Sequence, residues 1–450
     1  MKTKREHLER LLNALHEKGE FNGALLVAEG GTILAEAAFG TADWASGRKL
    51  TVQSVFELAS VSKPFTAAAI MILAEQGKLH YDDGIERWLP DFPYTGITVR
   101  HLLTHTSGLP DYMELFLNHW DSRRIACNED VLRLLETHKP EPYFLPNEQW
   151  QYSNTGYVLL AVIVERASGR SFADFMRDFV FIPQGMDDSR VYNRRYRPET
   201  IADYAFGYVY DARTGEYALP DEMAETSYVH YLDGIQGDGT VNSNVRDLYR
   251  FDQALYGEGL VGQESLQEAF APVRLNDGET FGYGFGWIVE QREGKGKIVC
   301  HGGSWPGYST SLIRYVDSGK TLIYLSNMEQ DYNFDQQVIE AAERILFDEP
   351  YDIPARGPRK RAVEIDPGVY ASYAGRYRFA DGPGAAISAE ENRLYLQVDG
   401  QVRLELLPSS ENTFFLRSLP VEVTFIVESA GLAEAFILNQ DGVEQQATRE

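Results

Sequence analysis

Cysteine is nearly missing from this chain: 450 residues carry two, Cys127 and Cys300. That excludes a disulfide framework and fits a reducing compartment or indifference to redox. Cys-x-x-Cys, His-Glu-x-x-His and close histidine clusters are also lacking, so no metal site and no cofactor are expected. Long apolar runs are absent; the longest, residues 65–74 and 158–164, are too short to span a bilayer. The first ten residues are charged and no apolar stretch follows them, which argues against a secretory signal and predicts a cytoplasmic protein. Positive charge is scarce, with 42 Lys and Arg against 67 Asp and Glu and a formal net charge of −25. Nucleic acid and anionic membrane surfaces are therefore poor partners. Repeats and low-complexity tracts are absent.

What is present reads as a large globular chain. Leu8, Leu11, Leu12 and Leu15 lie at i, i+3, i+4 and i+7, an amphipathic helix ending near Gly19. Residues 23–28 and 32–38 flank Glu29-Gly-Gly31 as a β-hairpin. Helical patterns follow at 64–76, 99–104, 131–137, 155–167, 172–180 and 244–255. Strand character returns at 283–290, 298–300, 308–315 and 321–326, and Phe334, Val338, Ile339, Ala342, Ile345 and Leu346 mark a further amphipathic helix. The economical arrangement is one antiparallel sheet closed from both ends of the chain. The two terminal helices cover one face and the helical insert, about 64–280, covers the other. Residues 349–365 read as a solvated linker, in which Arg356, Arg359, Lys360 and Arg361 sit in water. Beyond it, 366–450 is an all-β module of short alternating strands punctuated by Asp381-Gly382, Asp399-Gly400 and Asp441-Gly442.

Chemistry enters at Ser60-Val-Ser-Lys63, placed at the head of an apolar helix. On a helix, i and i+3 share a face, so the hydroxyl and amine meet, and a desolvated lysine is one way to activate a serine. Ser-x-x-Lys is a weak signal alone, and Ser46-Gly-Arg-Lys49 is a second match. That second match carries an internal glycine and leads into no apolar helix, which demotes it to a turn. Two more motifs stand out. Tyr152-Ser-Asn154 precedes the apolar helix from Thr155. Tyr152 becomes a useful acid or base where cationic neighbours lower its pKa, and a bonded core tyrosine beside a helix cap otherwise. Cys300-His-Gly-Gly-Ser-Trp-Pro-Gly307 ends a strand. Its glycines leave room for a substrate backbone along the edge, or else form a tight hairpin with an incidental histidine.

The ordered set Ser60-x-x-Lys63, Tyr152-x-Asn154 and His301-x-Gly303 resembles the serine penicillin-recognising hydrolases of the class C β-lactamase and DD-peptidase type (peptidase S12 type). Family-like context surrounds it in Phe56-Glu-Leu-Ala-Ser60, His101-Leu-Leu-Thr-His-Thr-Ser-Gly-Leu-Pro110, Tyr283-Gly-Phe-Gly-Trp287 and Pro306-Gly-Tyr-Ser-Thr310. The resemblance covers about residues 20–348. It implies the fold class α/β (α+β): a β-lactamase/transpeptidase-like catalytic domain at 1–348 and a C-terminal lipocalin-like barrel that shapes or caps the cleft. It also implies roles. Ser60 is the acylated nucleophile, and Lys63 helps to deprotonate it. Tyr152 is general base and then acid, and Asn154 orients Lys63 and the substrate amide. His301, Gly302 and Gly303 form the third motif, and the N–H groups of Ser60 and Ser304 form the oxyanion hole.

The partners implied are β-lactams or D-Ala-containing peptides, with peptidoglycan-type amides as substrate and the cell envelope as place of action. That location conflicts with the missing export signal. One departure matters: His301 stands where most relatives carry lysine. A histidine is mostly neutral at pH 7 unless a carboxylate lifts it, so grip on a terminal carboxylate is expected to weaken; if His301 does hold a carboxylate, penicillin acylation rises as pH falls from about 8 to about 6. The departure weakens the case for strict carboxypeptidase or strong β-lactamase activity. It leaves endopeptidase, D-aminopeptidase or esterase chemistry, and, in another class, a β-lactam-binding sensor without turnover.

Overall fold

The computed structural model describes residues 2–329, 332–357, 359–380, 382–399, 403–417, 419–427, 431–440 and 442–450. The chain divides into two units, Met1–Val209 with Ala218–Arg356, and Tyr210–Tyr217 with Gly357–Glu450.

The first unit is built on six antiparallel strands: β1 (Gly23–Glu29), β2 (Thr32–Phe39), β3 (Ile288–Arg292), β4 (Gly296–Trp305), β5 (Tyr308–Tyr315) and β6 (Lys320–Ser326). Their spatial order is β3-β4-β5-β6-β1-β2, so the two ends of the domain meet where β1 pairs with β6, Leu25 opposite Tyr324. Strand side chains alternate between faces. Leu25, Val27, Leu322 and Tyr324 therefore join one core, and Ala24, Leu26, Ile323 and Leu325 join another. The first core is covered by helix α1 (Lys2–Glu17), through Leu8, Leu11, Leu12 and Leu15, and by α5 (Tyr332–Leu346), through Phe334, Val338 and Ala342. Against the second lie α2 (Lys63–Glu75), α3 (Asn154–Ser168) and α4 (Val245–Ala254). Helix α2 is buried from Lys63 to Leu73, which explains its apolar composition on every face. Each fully buried Leu, Ile or Phe contributes about 1.5–3 kcal/mol. Among the described residues no helix is long and apolar enough to cross a membrane.

Three expectations change here. The strand foreseen over 283–290 begins only at Ile288. Residues 283–287 instead loop against the start of α2, where a Cβ on Gly286 would lie 2.9 Å from the Lys63 carbonyl oxygen. Strand β4 runs on to Trp305, so His301-Gly-Gly303 lies inside a strand and not at its end. Tyr112–His119, unforeseen, is helical, started by the Asp111 side chain accepting from Met113 N.

The second unit is a closed barrel of eight antiparallel strands. These are β7 (Gly375–Phe379), β8 (Gly384–Glu390), β9 (Arg393–Val398), β10 (Leu404–Pro408), β11 (Thr413–Phe415), β12 (Val421–Val427), β13 (Ala433–Gln440) and β14 (Val443–Arg449), with β14 pairing back onto β7. Aromatic rings fill its interior; Tyr373 and Phe425 stack with centroids 4.3 Å apart. Of the expected hairpin turns, Asp381, Gly400 and Asp441 lie outside the described residues. The 349–365 stretch is not the free spacer expected. Its residues to Arg356 belong to the first unit. Beyond Gly357, Ala362 N donates to Ala212 O (2.7 Å) and Val363 N to Pro408 O (2.9 Å). Arg359 lies 4.7 Å from the ring centroids of Tyr210 and Tyr217. The excursion Tyr210–Tyr217, sent out from the helical insert, thus belongs to the barrel unit, with Ala212 packed on Leu407 and Phe415.

Candidate active site

The turn that carries Ser60 combines backbone strain with four hydrogen bonds. Ala59 has φ +48, a left-handed conformation that costs a residue with a Cβ about 1–2 kcal/mol. The 3₁₀ turn Ala59–Ser62 follows and hands the chain to α2. Leu58 N donates to Val241 O (2.9 Å), Val241 N to Ser62 Oγ (2.9 Å), Thr310 Oγ1 to Leu58 O (2.6 Å) and Thr66 Oγ1 to Gly237 O (2.6 Å). Strained turns persist where the surroundings over-determine them.

Lys63 is 0% exposed, and its Nζ makes three hydrogen bonds: to Ser60 Oγ (3.1 Å), Asn154 Oδ1 (2.9 Å) and Asp238 O (2.9 Å). The two carbonyl oxygens can only accept, so they take two N–H groups in any protonation state. The third position faces a hydroxyl, which can donate or accept. A proton can therefore pass between Ser60 and Lys63 with no rearrangement. Asn154 opens α3 behind the Ser153 cap, whose Oγ accepts from Gly156 N (3.2 Å). Because Asn154 Oδ1 is held by Lys63, its NH₂ is the end left for a ligand.

Tyr152 stands 37% exposed, with the Lys63 ammonium 4.8 Å from its ring centroid. Its ring lies 4.4 Å from that of His105 and 6.2 Å from that of His301. Sequence reasoning passed over four members of this cluster: His105, Tyr283, Asp238 and Tyr112. The first two were visible only as family-like context, and Asp238 as a Gly-Asp-Gly turn. Tyr112 Oη donates to Asp238 Oδ2 (3.0 Å), and burial pushes the Asp238 carboxyl up while the Lys63 charge opposes the shift.

The third motif differs from expectation. His301 is buried, with Nδ1 2.6 Å from Gly302 O and Nε2 3.0 Å from Tyr283 Oη. A carbonyl only accepts, so Nδ1 carries the proton and Nε2 accepts from the tyrosine. Burial, then the nearby Lys63 charge, push the His301 pKa down to about 3. His301 is therefore neutral between pH 8 and pH 6 with both nitrogens engaged, and the rise in acylation that would follow if it held a carboxylate is not expected. The glycines behave as expected of a close approach. A Cβ on Gly303 would lie 2.2 Å from Leu58 O and 3.1 Å from Ser60 N, so this position admits only glycine beside the turn that carries Ser60. Gly302 and Ser304 are exposed. Strand β3 pairs with β4 only from Gly296 to Cys300, so among the described residues no strand covers the 301–305 edge on that side. Cys300 is half-buried, its thiol pushed up to about 12 by burial, and is chemically quiet. Among the described residues no group of three or more His, Cys, Asp or Glu is placed to hold a metal.

A buried lysine bonded to a serine at the head of a helix, beside an open strand edge, defines a serine hydrolase of the acyl-transfer kind. The beta-lactamase family profile matches residues 8–345, and a domain family of unknown function matches residues 359–449. The chain belongs to the beta-lactamase family. It is 55% identical to penicillin-binding protein 4* of Bacillus subtilis (strain 168) over 447 residues, 99% of either chain. It is 26% identical to a D-aminopeptidase of Brucella anthropi, over 68% of this chain and 56% of that one. The crystal structure of a penicillin-binding protein from Bacillus halodurans superposes with a TM-score of 0.64 at 29% identity, covering 74% of this chain and 98% of that one.

Proposed function

We propose that the protein is a penicillin-binding hydrolase that acylates Ser60 and acts on D-amino-acid amides of the peptidoglycan type, as an endopeptidase or aminopeptidase. The observation that carries this reading is the Lys63 triad of hydrogen bonds, which leaves one proton path and leads it to Ser60. Ser60 Oγ attacks the substrate carbonyl, and its proton passes to Lys63. Main-chain N–H groups of Ser60 and Ser304 take the developing oxyanion, a preorganised arrangement worth about 3–4 kcal/mol per donor lost. The carbon–nitrogen bond then breaks as Tyr152 protonates the leaving amine, and Lys63 reprotonates Tyr152 with the proton it took from Ser60. Asn154 donates to the acyl-side amide of the substrate. Water then attacks the ester, and the proton it loses is returned to Ser60 Oγ as the acid product leaves.

Two features narrow the substrate. His301, neutral and bonded on both nitrogens, supplies no cation for a terminal carboxylate, which favours internal or amino-terminal bonds over carboxypeptidase cleavage. The similarity to a D-aminopeptidase points the same way. A peptidoglycan-type substrate puts the place of action at the cell envelope.

The test is intact mass spectrometry of wild type and Ser60→Ala after a labelled penicillin, alongside turnover of a D-amino-acid amide and a D-Ala-D-Ala peptide. An adduct on wild type only, with the amide turned over faster than the peptide, is the expected result. An adduct without turnover of either would make the protein a sensor. Absence of any adduct, with ester hydrolysis intact, would replace this reading with an esterase.

A further inference from the structure

His105 lies in the stretch 101–110 and is 1% exposed. Its φ of +61 is left-handed, unusual for a residue with a Cβ. Its carbonyl accepts from Gln151 N (3.0 Å), and its Nδ1 accepts from Ser153 N (3.1 Å). The residues on either side of Tyr152 are thus both tied to one histidine. A backbone N–H only donates, so Nδ1 presents its lone pair and the ring proton sits on Nε2. Nε2 is buried without a hydrogen-bond partner among the described residues. The rings of Tyr152, Tyr283, Tyr157 and Trp150 surround it at 4.4, 4.6, 5.1 and 6.0 Å.

We propose that His105 is the positioning residue of Tyr152: a neutral ring that clamps the 151–153 segment and sets the tyrosine against Lys63. It touches no reacting atom. The inference rests on the reading in which Tyr152 relays the proton. The groups facing His105 are Lys63, His301, Tyr152, Tyr157 and Tyr283. Burial first, then the Lys63 charge, hold its pKa well below the ordinary histidine value, so the accepting form persists. A protonated ring would have to give up the Ser153 bond. The signal was present in the sequence as the second histidine of His101-Leu-Leu-Thr-His105, but nothing local tied it to a tyrosine 47 positions later.

Two substitutions in the full chain isolate the clamp. Asn and Gly both tolerate the left-handed backbone, but only Asn offers an oxygen in place of Nδ1. His105→Gly is expected to lower the maximal acylation rate about 100-fold with the half-saturating penicillin concentration unchanged, the size of loss that follows slight misplacement of a reacting group. His105→Asn should recover to within about tenfold of wild type by restoring the acceptor. Equal loss in the two variants, or a loss confined to half-saturation, overturns the proposal. Ring ¹⁵N spectra of the wild type supply a reading independent of variant folding. An unprotonated Nδ1 is expected as the pH is lowered through the ordinary histidine value of about 6.5, and a ring that titrates there overturns it. Tyr152→Phe separates the layers. If it acylates normally, the relay reading fails. If it is silent while His105→Gly acylates normally, the clamp alone fails.

Discussion

Two Ser-x-x-Lys sequences sit in the same unit of this protein and have opposite surroundings. Ser46 lies on a surface turn, its Oγ donating to the Asp43 carboxylate at 2.5 Å, and Lys49 donates to Thr41 Oγ1 at 3.2 Å. The Asp43 carboxyl is held below its usual range chiefly by that Ser46 bond, so the serine is spent as a turn donor. At Ser60 the lysine is out of water and all three of its acceptors are uncharged. Asp238 contributes its main-chain oxygen, while its carboxylate is bonded by Tyr112. Spacing brings the two groups together in both places. What separates the two places is desolvation, and the removal of any carboxylate that would compete for the serine proton.

The largest test of that contrast is to truncate each lysine. Lys63→Ala is expected to slow acylation by labelled penicillin by about 10³-fold, within the range for loss of a positioned base. Lys49→Ala should leave the rate within about twofold, since exposed substitutions are nearly neutral. Circular dichroism on both variants shows whether the fold survives. Comparable losses at the two sites would erase the distinction drawn between them.

Much of this contrast is legible in the sequence. Period-3.6 and period-2 patterns mark α1, α2, α3, β1 and β2, because each buries one face or all of them against a core. The barrel is legible as short alternating strands with Asp-Gly turns. What escapes is set by tertiary contact. The 283–287 loop reads as strand by composition, yet Gly284 and Gly286 are there to touch backbone: a Cβ on Gly284 would lie 2.0 Å from Ala269 O. Tyr210–Tyr217 looks like one more loop of the insert, and only packing on Leu407 and Phe415 assigns it to the second unit. At the site, order and residue type single out Ser60, Lys63, Tyr152 and Asn154. How firmly His301 is held neutral escapes, because a sequence does not show burial or which nitrogen is engaged.

An intermediate effect is expected from the glycines that flank each pair. Alanine at Gly303 puts a Cβ 2.2 Å from Leu58 O and 2.4 Å from Thr310 Oγ1, so the segment carrying Ser60 must give way. Gly303→Ala should lower the acylation rate by about 10–100-fold, the scale of a displacement near the reacting atoms. Gly47, beside Ser46, has φ +72, and a Cβ there would meet nothing within 4 Å. Gly47→Ala should therefore cost about 1–2 kcal/mol in backbone strain and leave acylation unchanged. Denaturant melts and acylation rates on the two variants give a double dissociation, and acylation loss at Gly47 would show that the turn is not a bystander.

The last effect, read on stability and not on acylation, concerns the dryness itself, which distinguishes Lys63 from Lys49 and is reported by His301. The folded His301 pKa is about 3 against an ordinary 6.5, so between those values the unfolded chain binds a proton that the native ring refuses. Stability from this residue is complete above pH 6.5 and is lost as pH falls toward 3, with a slope of up to ~1.4 kcal/mol per pH unit. Glu57 acts in the opposite sense. Burial, partly offset by Arg195, raises it from 4.5 to about 7, so it removes stability as pH rises through that interval. The wild-type pH profile sums such contributions, and the informative quantity is the difference from His301→Gln. Urea melts at intervals from pH 7 to pH 4 should show the variant gaining on wild type as acid is added. Acylation by wild type should show no rise between pH 8 and pH 6 that His301→Gln abolishes. A variant that tracks wild type at every pH would mean that His301 charges in the folded protein, and that the pocket shared with Lys63 is as wet as the turn around Lys49.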